Sequence, residues 1–223
     1  MKQPKKETSD QSRRNFIKNA AIASSIFIVP RHVLGGVGFT APSDQLNLAA
    51  IGAGGKGSSD IFNASVNGRE RVVALCDVDF SGSAKKSIEN FPKAKLYADY
   101  REMLDKEHKN IDAVTVSTPD HMHAVQAMAA MQLGKHVYVQ KPLSHDIYEA
   151  RMLTEAAEKY KVVTQMGNQG SSGEGVRKMV EWYNAGLIGE ATRVYCWTDR
   201  PVWPQGVPTP TGKFDIPKEL NWD

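Results

Sequence analysis

The sequence predicts an α/β protein: a doubly wound parallel sheet, followed by the beginning of a second α+β domain with a mainly antiparallel sheet. Three observations carry this reading. From Leu46 onward, short apolar runs alternate with helix-like stretches, the pattern of βαβ units whose sheet is covered on both faces. A glycine-rich segment joins the first apolar run to the first helical stretch, where such sheets place a ligand-binding turn. Near residues 191–198 the period changes to two, Arg193, Tyr195 and Trp197 alternating with Val194, Cys196 and Thr198, as in an antiparallel sheet with one wet face.

Composition narrows the class. With 223 residues, 41% hydrophobic and 24% charged, the chain has enough apolar content for a sizeable core. Two cysteines exclude a disulfide scaffold, no Cys/His spacing suits structural zinc, and no metal is expected. No apolar run reaches the ~18–20 residues that span a bilayer. Through Arg31 there are seven Lys/Arg against Glu7 and Asp10, an excess larger than the formal +3 of the whole chain. The remainder is therefore mildly acidic, and basic and aromatic residues do not interleave as a nucleic-acid surface requires.

The basic N-terminus reads as an address. Ser12-Arg13-Arg14-Asn15-Phe16-Ile17-Lys18 precedes a short apolar run, 20–29, and then Gly35, Gly36, Gly38, Pro42 and Ser43. This layout of charged region, apolar region and small residues resembles the twin-arginine export signal of bacteria. It predicts a signal and linker over 1–43, the twin-arginine machinery as partner and a periplasmic or exported location. An uncleaved segment would act as a membrane anchor. The competing reading is an amphipathic helix with a chance Arg-Arg pair.

In chain order, strands are expected at 46–51, Arg71–Cys76, 113–117, 136–139 and 162–166. Helices are expected at 55–66, 81–90, Tyr100–Glu107, 119–133, 146–160 and 173–185. The first domain covers 44–168 and the second begins at 169, with a strand at 191–198. Thr118 is expected as a helix N-cap, with Pro119 at the first helical position and Asp120 favouring the dipole. Cys76 and Cys196 are expected as buried strand residues, and Trp182 and Tyr183 as core or interface residues.

Gly52-Ala53-Gly54-Gly55-Lys56-Gly57 fits G-x-G-x-x-G at Gly52, Gly54 and Gly57, directly after a strand and before a helix. These glycines serve a tight turn, close approach to a diphosphate and close helix–strand packing. Asp77 ends the second strand near the expected ~20-residue spacing, where a carboxylate binds ribose hydroxyls and repels a 2′-phosphate. Gly52, Gly54, Gly55, Gly57 and Asp77 are thus candidate NAD ligands, with NADP disfavoured. Lys56 points the other way, since a cation tolerates extra phosphate.

Two later segments bear on the family. Ser117-Thr118-Pro119-Asp120-His121-Met122-His123 follows one strand, and Gly134-Lys135-His136-Val137-Tyr138-Val139-Gln140-Lys141-Pro142-Leu143 contains the next. Together with the glycine loop, they resemble the Gfo/Idh/MocA family of NAD(P)-dependent oxidoreductases with a Rossmann domain, from about Leu46 onward. Gln140 departs from the family pattern, which usually has Glu there. The segments Met166-Gly167-Asn168-Gln169-Gly170 and Trp203-Pro204-Gln205-Gly206 resemble an exported bacterial branch acting on sugar-type substrates, near glycoside hydrolase family 109.

The resemblance implies hydride transfer between bound NAD and a sugar or polyol hydroxyl. Lys141 would lie close to the nicotinamide and reacting carbinol, and His121 near the middle of the cofactor. Thr118, Pro119, Gln140 and Asn168 complete the implied cofactor set. A solvated turn at Lys141-Pro142 and a turn-forming Asn168 are the plain alternatives, and His123 is expected to face solvent or a neighbouring helix. Relatives with this layout continue well beyond 223 residues as homo-oligomers, and their D-x-x-x-H pair is absent from this sequence. A fragment, or a cofactor-binding protein without activity, is therefore one expectation; an NAD-assisted glycosidase is another.

Overall fold

The computed structural model describes residues 40–201 and 204–221. The segment read as an export signal, up to residue 39, and Trp203 lie outside the described residues. Residues 40–45 are the described part of a first unit and contain a 3-10 turn, Pro42–Asp44.

The main unit is built on six strands: β1 (Asn47–Ile51), β2 (Arg71–Cys76), β3 (Lys95–Tyr97), β4 (Ala113–Val116), β5 (His136–Gln140) and β6 (Thr164–Gly167). All pair in parallel, in the order β3-β2-β1-β4-β5-β6. The winding reverses between β1 and β4, which opens a crevice at their carboxyl ends. The helices are α1 (Lys56–Ala64), α2 (Lys85–Asn90), α3 (Tyr100–Glu107), α4 (His123–Gln132), α5 (Ile147–Tyr160) and α6 (Glu174–Asn184).

Strand alternation divides the core between the two faces. Ala49 and Ile51 pack with Val114, Val116, Met131, Val137, Val139 and Leu153 in one cluster. Leu48 and Ala50 pack with Ile61, Leu75 and Ala84 in the other. Because both neighbours in β1 are buried, the strand reads as a continuous apolar run. Asp99 caps α3 by accepting from Arg101 N at 2.8 Å. Asp146 caps α5 by accepting from Glu149 N at 2.8 Å, and Glu149 Oε2 accepts from His145 N at 2.7 Å, a reciprocal arrangement.

Several expectations are corrected. Strand β3 was not expected: it is three residues long, at the sheet edge, with Lys95 and Leu96 exposed, so it lacks an apolar signature. Helix α2 starts at Lys85 rather than 81, because the Asp79 carboxylate gathers Gly82 N (2.8 Å) and Ser83 N (2.9 Å) into a preceding turn. Those two bonds hold the Asp79 carboxyl below its usual range. The 119–133 helix splits into a 3-10 turn, Asp120–Met122, and α4. Thr118 caps neither: its hydroxyl donates to Gln126 Oε1 at 2.6 Å. Residues 191–198 form no strand, since no described segment offers them a hydrogen-bonding partner. Cys196 is consequently exposed, and Trp182 and Tyr183 on α6 are exposed too, so neither is a core residue.

One buried acid secures the weak edge strand. Glu107, 5% exposed at the end of α3, accepts from Lys95 Nζ at 2.6 Å and Tyr97 Oη at 2.7 Å. Lys95 and Tyr97 together hold its carboxyl below the ordinary value of 4.5, while burial and Glu107 push the Tyr97 hydroxyl up to about 12. A depressed carboxyl stabilises the fold above its unfolded value and loses that contribution as pH falls through the folded one. Glu107→Gln should therefore cost about 1–3 kcal/mol at neutral pH and flatten the acid limb of stability below pH 4.5. Denaturant titrations at several pH values measure both effects; an unchanged acid limb would contradict this role.

Candidate functional site

The glycine loop leaves β1 through two bonds to the end of β2: Gly52 N and Ala53 N donate to Cys76 O at 2.9 and 3.2 Å. Gly52 has φ +79°, and a Cβ there would lie 2.6 Å from Ser117 O. A Cβ on Gly54 would meet Ser83 Oγ at 2.5 Å, and one on Gly57 would collide with Gly52 O. Helix α1 thus begins at a distance from β1 and β4 that only glycine permits. Gly55 is uncrowded but has φ +52°, so its requirement is conformational.

Asp77 does more than the sequence indicates. Its Oδ2 accepts from Gly54 N at 2.7 Å and its Oδ1 from Asp79 N at 3.0 Å. The carboxylate therefore ties the glycine loop to the end of β2. A carboxylate oxygen has two acceptor sites, so each keeps one for a ligand hydroxyl. The neighbouring Cys76 is buried, and burial together with Asp77 pushes its thiol up to about 12.

A cavity of about 710 Å³ opens at this crevice, lined by Gly52, Gly54, Gly55, Lys56, Asp77, Thr118 and Pro119 among others. Ser83, Tyr100, Arg101, Met122 and Gln126 also line it and were missed in the sequence. A cavity of about 700 Å³ between Asn47, Arg71 and Lys95 lies where strands begin, the end of a parallel sheet away from ligands.

Lys141 and Asn168 sit beside each other in the topology, directly after the paired residues Gln140 and Gly167. Both are exposed and neither lines the cavity; the same holds for His121 in its 3-10 turn. Gln140 is buried: Nε2 donates to Asp60 Oδ2 at 3.0 Å, and Oε1 accepts from Lys141 N at 2.9 Å. Asp60, buried on α1, also pairs with Lys56 Nζ and accepts from Ser117 Oγ at 2.8 Å. The Lys56 charge is thus matched within its own helix.

The expectation for His123 is overturned. It is 1% exposed, with Nε2 2.8 Å from Thr118 O and Nδ1 2.6 Å from Pro142 O. Both ring nitrogens thus face backbone carbonyl oxygens. The ring straps the turn after β4 to the turn after β5, whereas His121 stays outside. Both histidines follow the same Thr-Pro pair, so residue type could not separate them.

These features fit a dinucleotide: a cradle that Cβ atoms would fill, a helix N-terminus opening on the cavity, and a carboxylate with free acceptor sites. The profile of the Gfo/Idh/MocA group, described as an oxidoreductase family with an NAD-binding Rossmann fold, matches residues 46–168. A protein of Solibacter usitatus named as a glycosyl hydrolase family 109 protein is 30% identical over 204 residues, 81% of this chain and 44% of that protein. Among solved structures, myo-inositol 2-dehydrogenase from Lactobacillus plantarum superposes with a TM-score of 0.57 at 26% identity, over 66% of this chain and 43% of that one. An NAD-binding oxidoreductase from Klebsiella pneumoniae gives 0.54 at 28% identity, over 66% and 40%. The chain spans less than half the length of the curated relatives it matches.

The cradle is directly testable. Gly57→Ala should destabilise the fold by about 1–3 kcal/mol, because the displaced neighbour is backbone. Gly175→Ala, in open space on α6, should be neutral or stabilising by up to ~1 kcal/mol. Equal melting temperatures for the two variants would contradict the packing described.

Proposed function

Because the chain belongs to the Gfo/Idh/MocA family of oxidoreductases with an NAD-binding Rossmann fold, we propose that it binds NAD at the switch point and serves hydride transfer with a sugar or polyol hydroxyl. The observation that carries the reading is the Asp77 clasp, a carboxylate that lines the cavity and fastens the glycine cradle at once. Its free acceptor positions suit ribose hydroxyls, and its charge opposes a 2′-phosphate. Lys56 does not offset this, since Asp60 already matches it.

The backbone amides at the start of α1 hold the diphosphate, and Thr118 and Pro119 form the opposite wall. Bound NAD supplies the hydride acceptor. Lys141, carried at the end of β5, stabilises the developing alkoxide or takes the hydroxyl proton. His121 and Asn168 are assigned to the middle of the cofactor and to the nicotinamide ribose or substrate hydroxyls. Sugar and polyol chemistry is supported by the names of the relatives, one a glycosyl hydrolase and one an inositol dehydrogenase.

The same glycosyl hydrolase relative favours a second reading, an NAD-assisted glycosidase that oxidises and re-reduces its substrate within one turnover. The two readings differ in outcome. Sugar-dependent growth of nicotinamide absorbance marks the oxidoreductase; glycoside cleavage without net absorbance change marks the glycosidase. Lys141→Ala should abolish most of either activity.

Calorimetric titration of the chain with NAD and NADP should show tighter binding of NAD. Asp77→Ala should weaken NAD binding by about 1–3 kcal/mol and narrow the preference. Equal affinity of the unmodified chain for both nucleotides would overturn the assignment of Asp77.

A further inference from the structure

Asp60 is a buried carboxylate, its side chain 3% exposed, on the helix whose first turn forms the cradle. Its partners come from four places. Lys56 Nζ pairs with Oδ1. Ser117 Oγ, after β4, and Gln140 Nε2, at the end of β5, donate to Oδ2 at 2.8 and 3.0 Å. Gln169 Nε2, after β6, reaches Oδ1 at 3.5 Å while donating to Tyr138 Oη at 2.7 Å. One carboxylate therefore joins α1 to the carboxyl ends of three strands.

This hub dictates how Gln140 is oriented. A carboxylate only accepts hydrogen bonds, so Gln140 must offer Asp60 its NH₂ group. That turns Oε1 toward Lys141 N, from which it accepts at 2.9 Å. Gly167 closes the other side: a Cβ there would lie 3.0 Å from Gln140 Cδ and Nε2. The amide is thus clamped between a charged acceptor and a backbone.

A glutamate at 140, the usual residue of the motif this strand end resembles, would place a second carboxylate within hydrogen-bonding distance of Asp60. Like charges that close do not both ionise without a large penalty. We propose that Asp60 and Gln140 form a charge-exchanged pair, the carboxylate on α1 and the amide on β5, which fixes the Lys141 backbone at the reactive edge. Asp60 is then a positioning residue acting through Gln140. Its functional meaning rests on the assignment of Lys141 above; the pair itself is a property of the folded chain.

The test compares Gln140→Glu, Asp60→Asn and the double substitution in the purified chain without nucleotide. The readouts are thermal midpoint at pH 8 and pH 5, and hydrogen exchange at the Lys141 amide. At pH 8, Gln140→Glu should lower the midpoint by roughly 2–4 °C and speed Lys141 exchange about tenfold. The loss should shrink at pH 5, because the crowded folded pair binds more protons than the unfolded chain and stability then falls as pH rises.

Adding Asp60→Asn should restore both readouts: the new amide at 60 donates to the new carboxylate at 140, which still accepts from Lys141 N. If Gln140→Glu alone does not fold, a folded double variant gives the same support and an unfolded one overturns the proposal. A Gln140→Glu variant as stable as the parent at pH 8, or a loss that Asp60→Asn leaves unchanged, also overturns it. Failure of the unmodified chain to bind NAD, with the rescue intact, removes the NAD reading and keeps the pair.

Discussion

Helix α1 starts so close to the sheet that a Cβ on Gly57 would strike Gly52 O and lie 3.1 Å from Ser117 Cβ. The architecture of the crevice follows from this approach. It brings the helix N-terminus, the positive end of the dipole, to the carboxyl ends of β1 and β4. It also brings Asp60, one turn along the helix, into reach of Ser117 and Gln140 on neighbouring strands. The nucleotide cradle and the buried polar hub are two consequences of one packing distance.

Two carboxylates at this edge have opposite environments and different tasks. Asp77 is half-buried, takes one backbone N–H on each oxygen and lines the cavity, so it can still receive a ligand. Asp60 is buried, ion-paired and hydrogen-bonded from several elements, so it acts on the protein rather than on a ligand. A buried charge is tolerated only with such a full complement of partners. His123 adds a second tie, joining the Thr118 and Pro142 carbonyls. The turns bearing Thr118 and Lys141 are therefore held by side chains from α1 and α4 as well as by the sheet.

The sequence made visible whatever depends on local pattern. Strand β2 and helix α3 have the bounds expected for them, and the glycine loop occupies its expected place between β1 and α1. Features that depend on distant partners were hidden. The Asp60 bonds to Ser117 and Gln140 span 57 and 80 residues, and nothing in the spacing of a helical aspartate announces them. Strand β3 escaped because an edge strand of three residues carries no alternation. The 191–198 segment misled for the opposite reason: it has the alternation, but alternation without a pairing partner makes no strand.

The central claim is that the crevice between β1 and β4, with its glycine cradle and Asp77 clasp, is where the chain takes its nucleotide. Titrating isotope-labelled chain with NAD and following backbone amide resonances tests it most directly. The largest shifts should fall on Gly54, Gly55, Lys56, Gly57 and Asp77, with Thr118 following, while residues 90–95 around the opposite cavity stay unmoved. Shifts concentrated at residues 90–95, or none at saturating NAD, would contradict the account.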